Sequence, residues 1–248
     1  MRPGSRVSLR DNRRRVSSAP GPAGERRPTT TGIRKSGSRA AEGRPTTEWV
    51  VVVPVKGTSQ SKSRFGPGDN SALALAMAAD TVAAAMETEG VAGVLVVTTA
   101  EASGTFDDLG AFVIVQESDG LTSAIVLGVA IAAEMTEPGR GIAVLLGDLP
   151  ALTPAELGDA LDAARAHPRA MVADAAGDGT ALITATHGTT HAPAFGVGSS
   201  AAHRAAGYMP LEVSALSGLR NDVDSADGLA LLEGRLGERT ARVMSDRP

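Results

Sequence analysis

Trp49-Val50-Val51-Val52-Val53-Pro54-Val55-Lys56-Gly57 sets five apolar side chains in succession, then a proline, a lysine and a glycine. A β-branched run with no polar alternation fits a central strand buried on both faces. The loop that follows, Pro54 to Asn70, is polar and carries several glycines and prolines.

Beyond that loop the pattern alternates. Ala72–Glu89 is Ala-rich with helical character, and Leu73, Met77 and Val82 are among its larger apolar residues. Gly93–Thr98 and Ala111–Val115 are expected strands, Leu121–Met135 a helix, and Ile142–Leu146 a further strand. Thr153–Ala166 has a helix start signal: Thr153 as N-cap, Pro154 in the first turn and Glu156 three residues on. Short strands near Ala170–Ala173 and Ala181–Ala185 follow, then helices at Ser199–Ala206 and, last, around Ser225–Leu236. Strands alternating with helices predict an α/β fold, a mixed, mostly parallel sheet with helices on both faces. Ligands of such sheets bind beyond the carboxyl ends of the strands, so the loops after strands are where chemistry is expected.

Composition narrows the function. The chain has 248 residues, is 42% hydrophobic and contains no cysteine. Thiol nucleophiles, disulfide scaffolds and zinc ribbons are thereby excluded. No apolar run approaches the roughly 18–20 residues needed to span a bilayer, so no membrane span is expected. The net charge of −4 conceals an uneven split, with +9 over residues 1–47 and −13 over residues 48–248. The first 47 residues are rich in Gly, Pro, Ser and Thr and nearly devoid of large apolar side chains. They read as a disordered basic arm preceding one folded domain, 48–248. Such an arm could touch nucleic acid or an anionic surface through charge, or do little. With aromatic content at 2%, a base-stacking surface with specificity for nucleic acid is not expected.

Three loops stand out. The first places Lys56, Lys62 and Arg64 among hydroxyl and amide side chains on a glycine-containing loop, which suits a polyphosphate as well as a merely solvated basic loop. It is not a P-loop, because Ser61 stands where that motif needs glycine. The second is Gly147-Asp148-Leu149-Pro150, an acid immediately after an apolar strand; Asp148 either binds Mg²⁺ bridging to nucleotide phosphates or caps the following turn. The third is Arg220-Asn221-Asp222-Val223-Asp224-Ser225. Asp222 and Asp224 could face one cation, while Asp224 or Ser225 could instead cap the last helix. Gly177-Asp178-Gly179-Thr180 and Phe195-Gly196-Val197-Gly198-Ser199-Ser200 are glycine-rich turns, the latter opening a helix that could hold an anion. His167, His187, His191 and His203 show no metal-ligand spacing.

These segments, Val51-Val52-Val53-Pro54-Val55-Lys56, Lys62-Ser63-Arg64-Phe65, Gly147-Asp148-Leu149-Pro150-Ala151-Leu152, Gly177-Asp178-Gly179-Thr180, Phe195–His203 and Leu219–Asp224, together resemble the guanylyltransferases of coenzyme F420 biosynthesis. That family is described as 2-phospho-L-lactate or phosphoenolpyruvate guanylyltransferase. The motifs fall in the family's order over essentially all of 48–245. The resemblance implies a Rossmann-like nucleotidyltransferase fold and a reaction of GTP with a phosphorylated three-carbon acid, giving a guanosine diphospho-acid plus pyrophosphate. It further implies that Lys56, Lys62 and Arg64 hold the triphosphate. Asp148 and Asp222 would bind Mg²⁺ with Asp224 nearby, and Thr180, Gly196 and Ser199 would hold the phospho-acid. A cytoplasmic location, a downstream deazaflavin transferase as recipient of the product, and a homodimer are expectations of the same kind. The chain departs from the family at Ser63, where threonine is usual, and at Thr122, where asparagine often follows the leucine.

Two rival readings remain open at this level. Molybdopterin guanylyltransferases and cytidylyltransferases typically open with a glycine-rich L-A-G-G-x-S-x-R-M loop, and Pro54-Val55-Lys56-Gly57 departs from it. A non-catalytic nucleotide-binding module would bind GTP without turnover.

Overall fold

A computed structural model of the chain describes residues 48–55, 70–116 and 120–246. The basic arm, and with it Lys56, Lys62 and Arg64 of the first loop, lie outside the described residues. The chain runs through β1 (Trp49–Pro54), α1 (Ser71–Glu87), β2 (Val91–Thr98), α2 (Ser103–Leu109), β3 (Phe112–Val115), α3 (Leu121–Met135) and β4 (Gly141–Leu145). It continues through α4 (Pro154–Ala164), β5 (Arg169–Ala173), β6 (Thr180–Ala185), α5 (Ser199–Ala205), β7 (Met209–Pro210), α6 (Ala226–Ala230) and α7 (Glu238–Ser245).

The strands form one sheet in the order β3-β2-β1-β4-β6-β5-β7. β1 pairs in parallel with β2 on one side and β4 on the other, with Val52 opposite both Leu95 and Val144. β6 alone among the described strands runs antiparallel to its neighbours, β4 and β5. The sheet is therefore mixed and mostly parallel, as expected.

β1 sends alternate side chains to two different cores. Trp49, Val51 and Val53 pack with Ala79 and Val82 of α1, Phe106 of α2 and Leu157 and Leu161 of α4. Val52 faces the other way, with Leu95 and Val97 of β2, Ile125 of α3, Val144 and Tyr208. A third cluster joins Leu73 and Met77 of α1 to Ala151, Val223, Leu229 and Leu232. That cluster binds the loop after β4 to the loop before α6. No described helix is long and apolar enough to cross a membrane.

Helix starts follow their local signals where those exist. Thr153 Oγ1 accepts the Glu156 N–H at 3.3 Å, and the Glu156 carboxylate accepts the Thr153 N–H at 3.0 Å, a reciprocal capping box. The helix expected around Ser225–Leu236 is shorter: α6 ends at Ala230, and Gly234 takes a left-handed φ of +79°. The chain ends instead with α7, capped by Asp80 of α1, whose carboxylate accepts the Thr240 N–H at 2.8 Å and the Arg239 N–H at 3.2 Å.

α3 lies close on the sheet because of Gly128. A Cβ there would sit 2.5 Å from Val52 Cγ1 and 2.9 Å from Val97 Cγ2, both fixed in the second core. In an exposed helix Gly→Ala gains about 1 kcal/mol, whereas overpacking a filled core costs about 1–3 kcal/mol. Gly128→Ala is therefore expected to lower the Tm in thermal denaturation; a higher Tm would show that α3 can lift off the sheet at little cost.

Candidate active site

The strand order reverses between β1 and β4, since β2 and β3 lie to one side of β1 and β4 to the other. A crevice outside the carboxyl ends of the strands at such a reversal is the ligand position of doubly wound sheets. Gly147 packs there against the end of β1, its Cβ position 3.4 Å from the Pro54 carbonyl and from Val55 Cγ2. Because β6 is antiparallel to β4, its first residue, Thr180, also starts at this edge.

The Asp148 loop is fastened on several sides. Thr81, buried in α1, accepts the Leu149 N–H at 3.2 Å; its hydroxyl donates to the Met77 carbonyl (3.0 Å), with the Gly147 carbonyl 3.4 Å away. The Gly237 N–H donates to the Pro150 carbonyl at 2.7 Å, and the Val223 N–H donates to the Asp148 carbonyl at 3.0 Å. That last bond joins the two acidic loops. Val223 is buried, with Asp222 half-buried before it and Asp224 exposed after it. Burial pushes the Asp222 carboxyl above its ordinary value, and the charges of Asp174 and Asp224 push it the same way. Ser225, not Asp224, caps α6, accepting the Gly228 N–H at 3.2 Å.

Among the described residues, no three His, Cys, Asp or Glu side chains group to hold a metal unaided. The donors that the two loops supply are hard carboxylate oxygens, the chemistry Mg²⁺ prefers when substrate phosphates complete its shell. A half-buried carboxyl destabilised by its acidic neighbours is the environment that a cation relieves.

Thr180, Gly196 and Ser199 also converge. Ser199 Oγ donates to Thr180 Oγ1 at 3.2 Å, and the Ser199 N–H bonds the Gly196 carbonyl at 3.1 Å, with Gly196 at φ +131°. The β5–β6 turn connects this side to the acidic loops. Asp174 shapes that turn by accepting the Gly177 N–H (2.6 Å) and the Gly179 N–H (2.8 Å). Asp178 accepts the Gly198 N–H on its side chain (3.2 Å) and the Ser200 N–H on its carbonyl (2.9 Å). From the opposite side Arg220 donates to the carbonyls of Ala173 (3.1 Å), Asp174 (2.8 Å) and Val213 (3.1 Å).

The sequence did not single out Thr81 or Asp174 and gave Arg220 and His203 no role, although all four hold loops of the candidate site. One signal was available: Asp80 and Thr81 are the only polar residues between Ser71 and Glu87 of α1. Both are buried. His191 and His203 flank Tyr208. The His191 Nε2–H donates to the Ile142 carbonyl at 3.0 Å, and its Nδ1 accepts the Tyr208 hydroxyl at 3.1 Å. Tyr208 in turn accepts the Ala192 N–H at 2.9 Å. These tautomers are assigned from the fixed roles of the carbonyl and the amide.

The chain has close relatives. The phosphoenolpyruvate guanylyltransferase of Streptomyces coelicolor is 45% identical over 204 residues, covering 79% of this chain and 95% of that protein. That of Thermomonospora curvata is 43% identical over 206 residues, covering 81% of this chain and 90% of that protein. No family model matches. Among solved structures, a Desulfovibrio desulfuricans protein described as a nucleotide-diphospho-sugar transferase superposes with a TM-score of 0.61. The match covers 81% of this chain and 95% of that one at 14% identity, a likeness of fold.

Burial lowers the His191 pKa to about 4, and the charges of Arg169 and His203 act with it against the Ile142 hydrogen bond. A pKa depressed in the folded state means stability that is complete above the unfolded value and lost as pH falls toward the folded one. Between pH 6.5 and 4 this residue should account for a loss of about 3 kcal/mol. Urea unfolding across that range should show a shallower pH slope in His191→Gln than in the parent; equal slopes would mean the imidazole takes up its proton without unfolding.

Proposed function

The chain belongs to the phosphoenolpyruvate guanylyltransferase family, and we propose that it transfers the GMP unit of GTP to phosphoenolpyruvate, releasing pyrophosphate. A phosphate oxygen of the acid forms the new bond to the α-phosphorus. The bond from the α-phosphorus to the bridging oxygen breaks, and pyrophosphate leaves with the electron pair. The nucleophile is already anionic at neutral pH, so no general base is needed. This agrees with His203, the buried histidine hydrogen-bonded to Thr180, having both ring nitrogens engaged.

The difficulty is to bring two polyanions together, so the protein's work is positioning and charge neutralisation. Lys56, Lys62 and Arg64 would bind the triphosphate. Asp148 and Asp222 would hold Mg²⁺, with Asp224 adding negative charge at the rim. Bound there, Mg²⁺ neutralises phosphate charge and stabilises the departing pyrophosphate. Thr180, Gly196 and Ser199 would hold the phospho-acid. The observation that carries this reading is the Val223–Asp148 hydrogen bond, which joins both acidic loops at the switch point of the sheet. The product, a GMP-activated acid, suits a transferase that displaces GMP. On this reading the acceptor is a deazaflavin, as coenzyme F420 biosynthesis requires, and both substrates are drawn from the cytoplasm.

Pyrophosphate release from GTP and Mg²⁺ is to be measured with phosphoenolpyruvate, 2-phospho-L-lactate and 3-phosphoglycerate in turn. Phosphoenolpyruvate is the acid expected to support turnover; GTP binding without turnover on any of them would sink the proposal. Asp148→Asn should lower kcat about a thousandfold, the several kcal/mol typical of lost metal catalysis. Its Tm should hold, because the bond from Val223 uses the main-chain carbonyl.

A further inference from the structure

His203 is fully buried on α5, between Phe195 and Tyr208, whose rings meet it edge-on at 5.0 and 5.2 Å. Both of its nitrogens are engaged. Nε2 lies 2.9 Å from the Ala194 N–H, and Nδ1 lies 3.0 Å from Thr180 Oγ1. A backbone amide only donates, so Nε2 is the acceptor and the ring proton sits on Nδ1. Burial lowers the His203 pKa and favours the neutral ring this arrangement requires. Protonation would set an Nε2–H against the Ala194 N–H.

The direction of the remaining bonds follows. Nδ1–H donates to Thr180 Oγ1, and Ser199 Oγ–H donates to the same oxygen at 3.2 Å. A hydroxyl oxygen has two acceptor sites and one proton. Both acceptor sites of Thr180 are then filled, and its proton has no acceptor among the described residues although the residue is only 3% exposed. Reversing the Ser199–Thr180 bond moves the spare proton to Ser199 but does not remove it, because the amide of Ala194 fixes the far end of the chain.

We propose that His203 is a positioning residue of the phospho-acid subsite, holding the Thr180–Ser199 hydroxyl pair so that one proton is always turned toward a phosphate or carboxylate oxygen. The proposal rests on the reading that Thr180 and Ser199 hold the phospho-acid. It adds a polarity to that subsite: the group bound there must accept a hydrogen bond. A bare hydroxyl pair could turn either way; this pair cannot.

The test uses initial rates of the full chain, varying phosphoenolpyruvate at saturating GTP and the reverse. In His203→Gln the amide reaches the Nε2 position and leaves Thr180 without its donor. In His203→Asn the amide nitrogen falls near the Nδ1 position and restores it. His203→Gln should raise the KM for phosphoenolpyruvate about tenfold, the usual weight of one hydrogen bond to a charged group. The KM for GTP should stay within about twofold, and His203→Asn should recover most of the loss. Thr180→Val should raise the same KM, and adding His203→Gln to it should cost little more, because the two act through one bond. Equal effects of Gln and Asn, parallel rises in both KM values, or full additivity with Thr180→Val would overturn the proposal. If Thr180→Val leaves the KM for phosphoenolpyruvate unchanged, the reading of the subsite itself fails. Circular dichroism and Tm of each variant separate these outcomes from loss of fold.

Discussion

A strand flanked by parallel neighbours and covered on both faces must divide its side chains between two cores, and β1 does this within six residues. Trp49, Val51 and Val53 belong to one core and Val52 to the other. Burying such side chains contributes about 1.5–3 kcal/mol each, so the register of β1 is strongly determined. A slip of one residue would exchange the two sets and drive the Trp49 ring, which fills the space above Gly141, into the opposite layer. The crevice at the end of β1, the exit of β4 and the seat of α3 on Gly128 all follow from that register.

α1 carries the next level of organisation. It is almost wholly Ala, Leu, Met and Val, yet it buries Asp80 and Thr81 side by side. Buried polar groups are tolerated only where they find partners. Thr81 fastens the loop after β4, and Asp80 fastens the start of α7. The β5–β6 turn plays the same part on the far side, tying Gly196–Ser200 to Arg220 and the Asp222 loop. Short loops carry the acids and hydroxyls of the proposed site, but their positions are set by bonds to the scaffold, as preorganised sites require.

Local signals made much of this legible. The apolar strands, α3 and the Thr153–Glu156 capping box announce themselves within a few residues, so the sheet and its helices could be read in advance. An acid placed straight after an apolar strand made Asp148 a candidate, the paired acids made Asp222 one, and the structure joins their two loops. What escaped was decided at a distance. α7 has glycine at its N-cap and no local capping side chain, because its cap comes from α1. α6 stops early although leucines continue to Leu236, because Gly234 turns into the left-handed region and Leu231 is left 85% exposed. The role of His203 depends on an amide nine residues before it and a threonine 23 residues before it, and neither spacing is a motif.

The Asp80 cap ties two events in the life of the chain. α1 leaves the ribosome early, and α7 is made more than 150 residues later. Until α7 arrives, Asp80 is a carboxylate on the inner side of an apolar helix, without the amides that will satisfy it. Leaving a buried acceptor unsatisfied costs about 1–3 kcal/mol, and more when it is charged. The surface of α1 that also seats Ala151 and Val223 therefore closes only once α7 has been made. α7 completes the footing of the loops on which the acids stand, so a nascent chain can hold its central sheet well before it holds the proposed site.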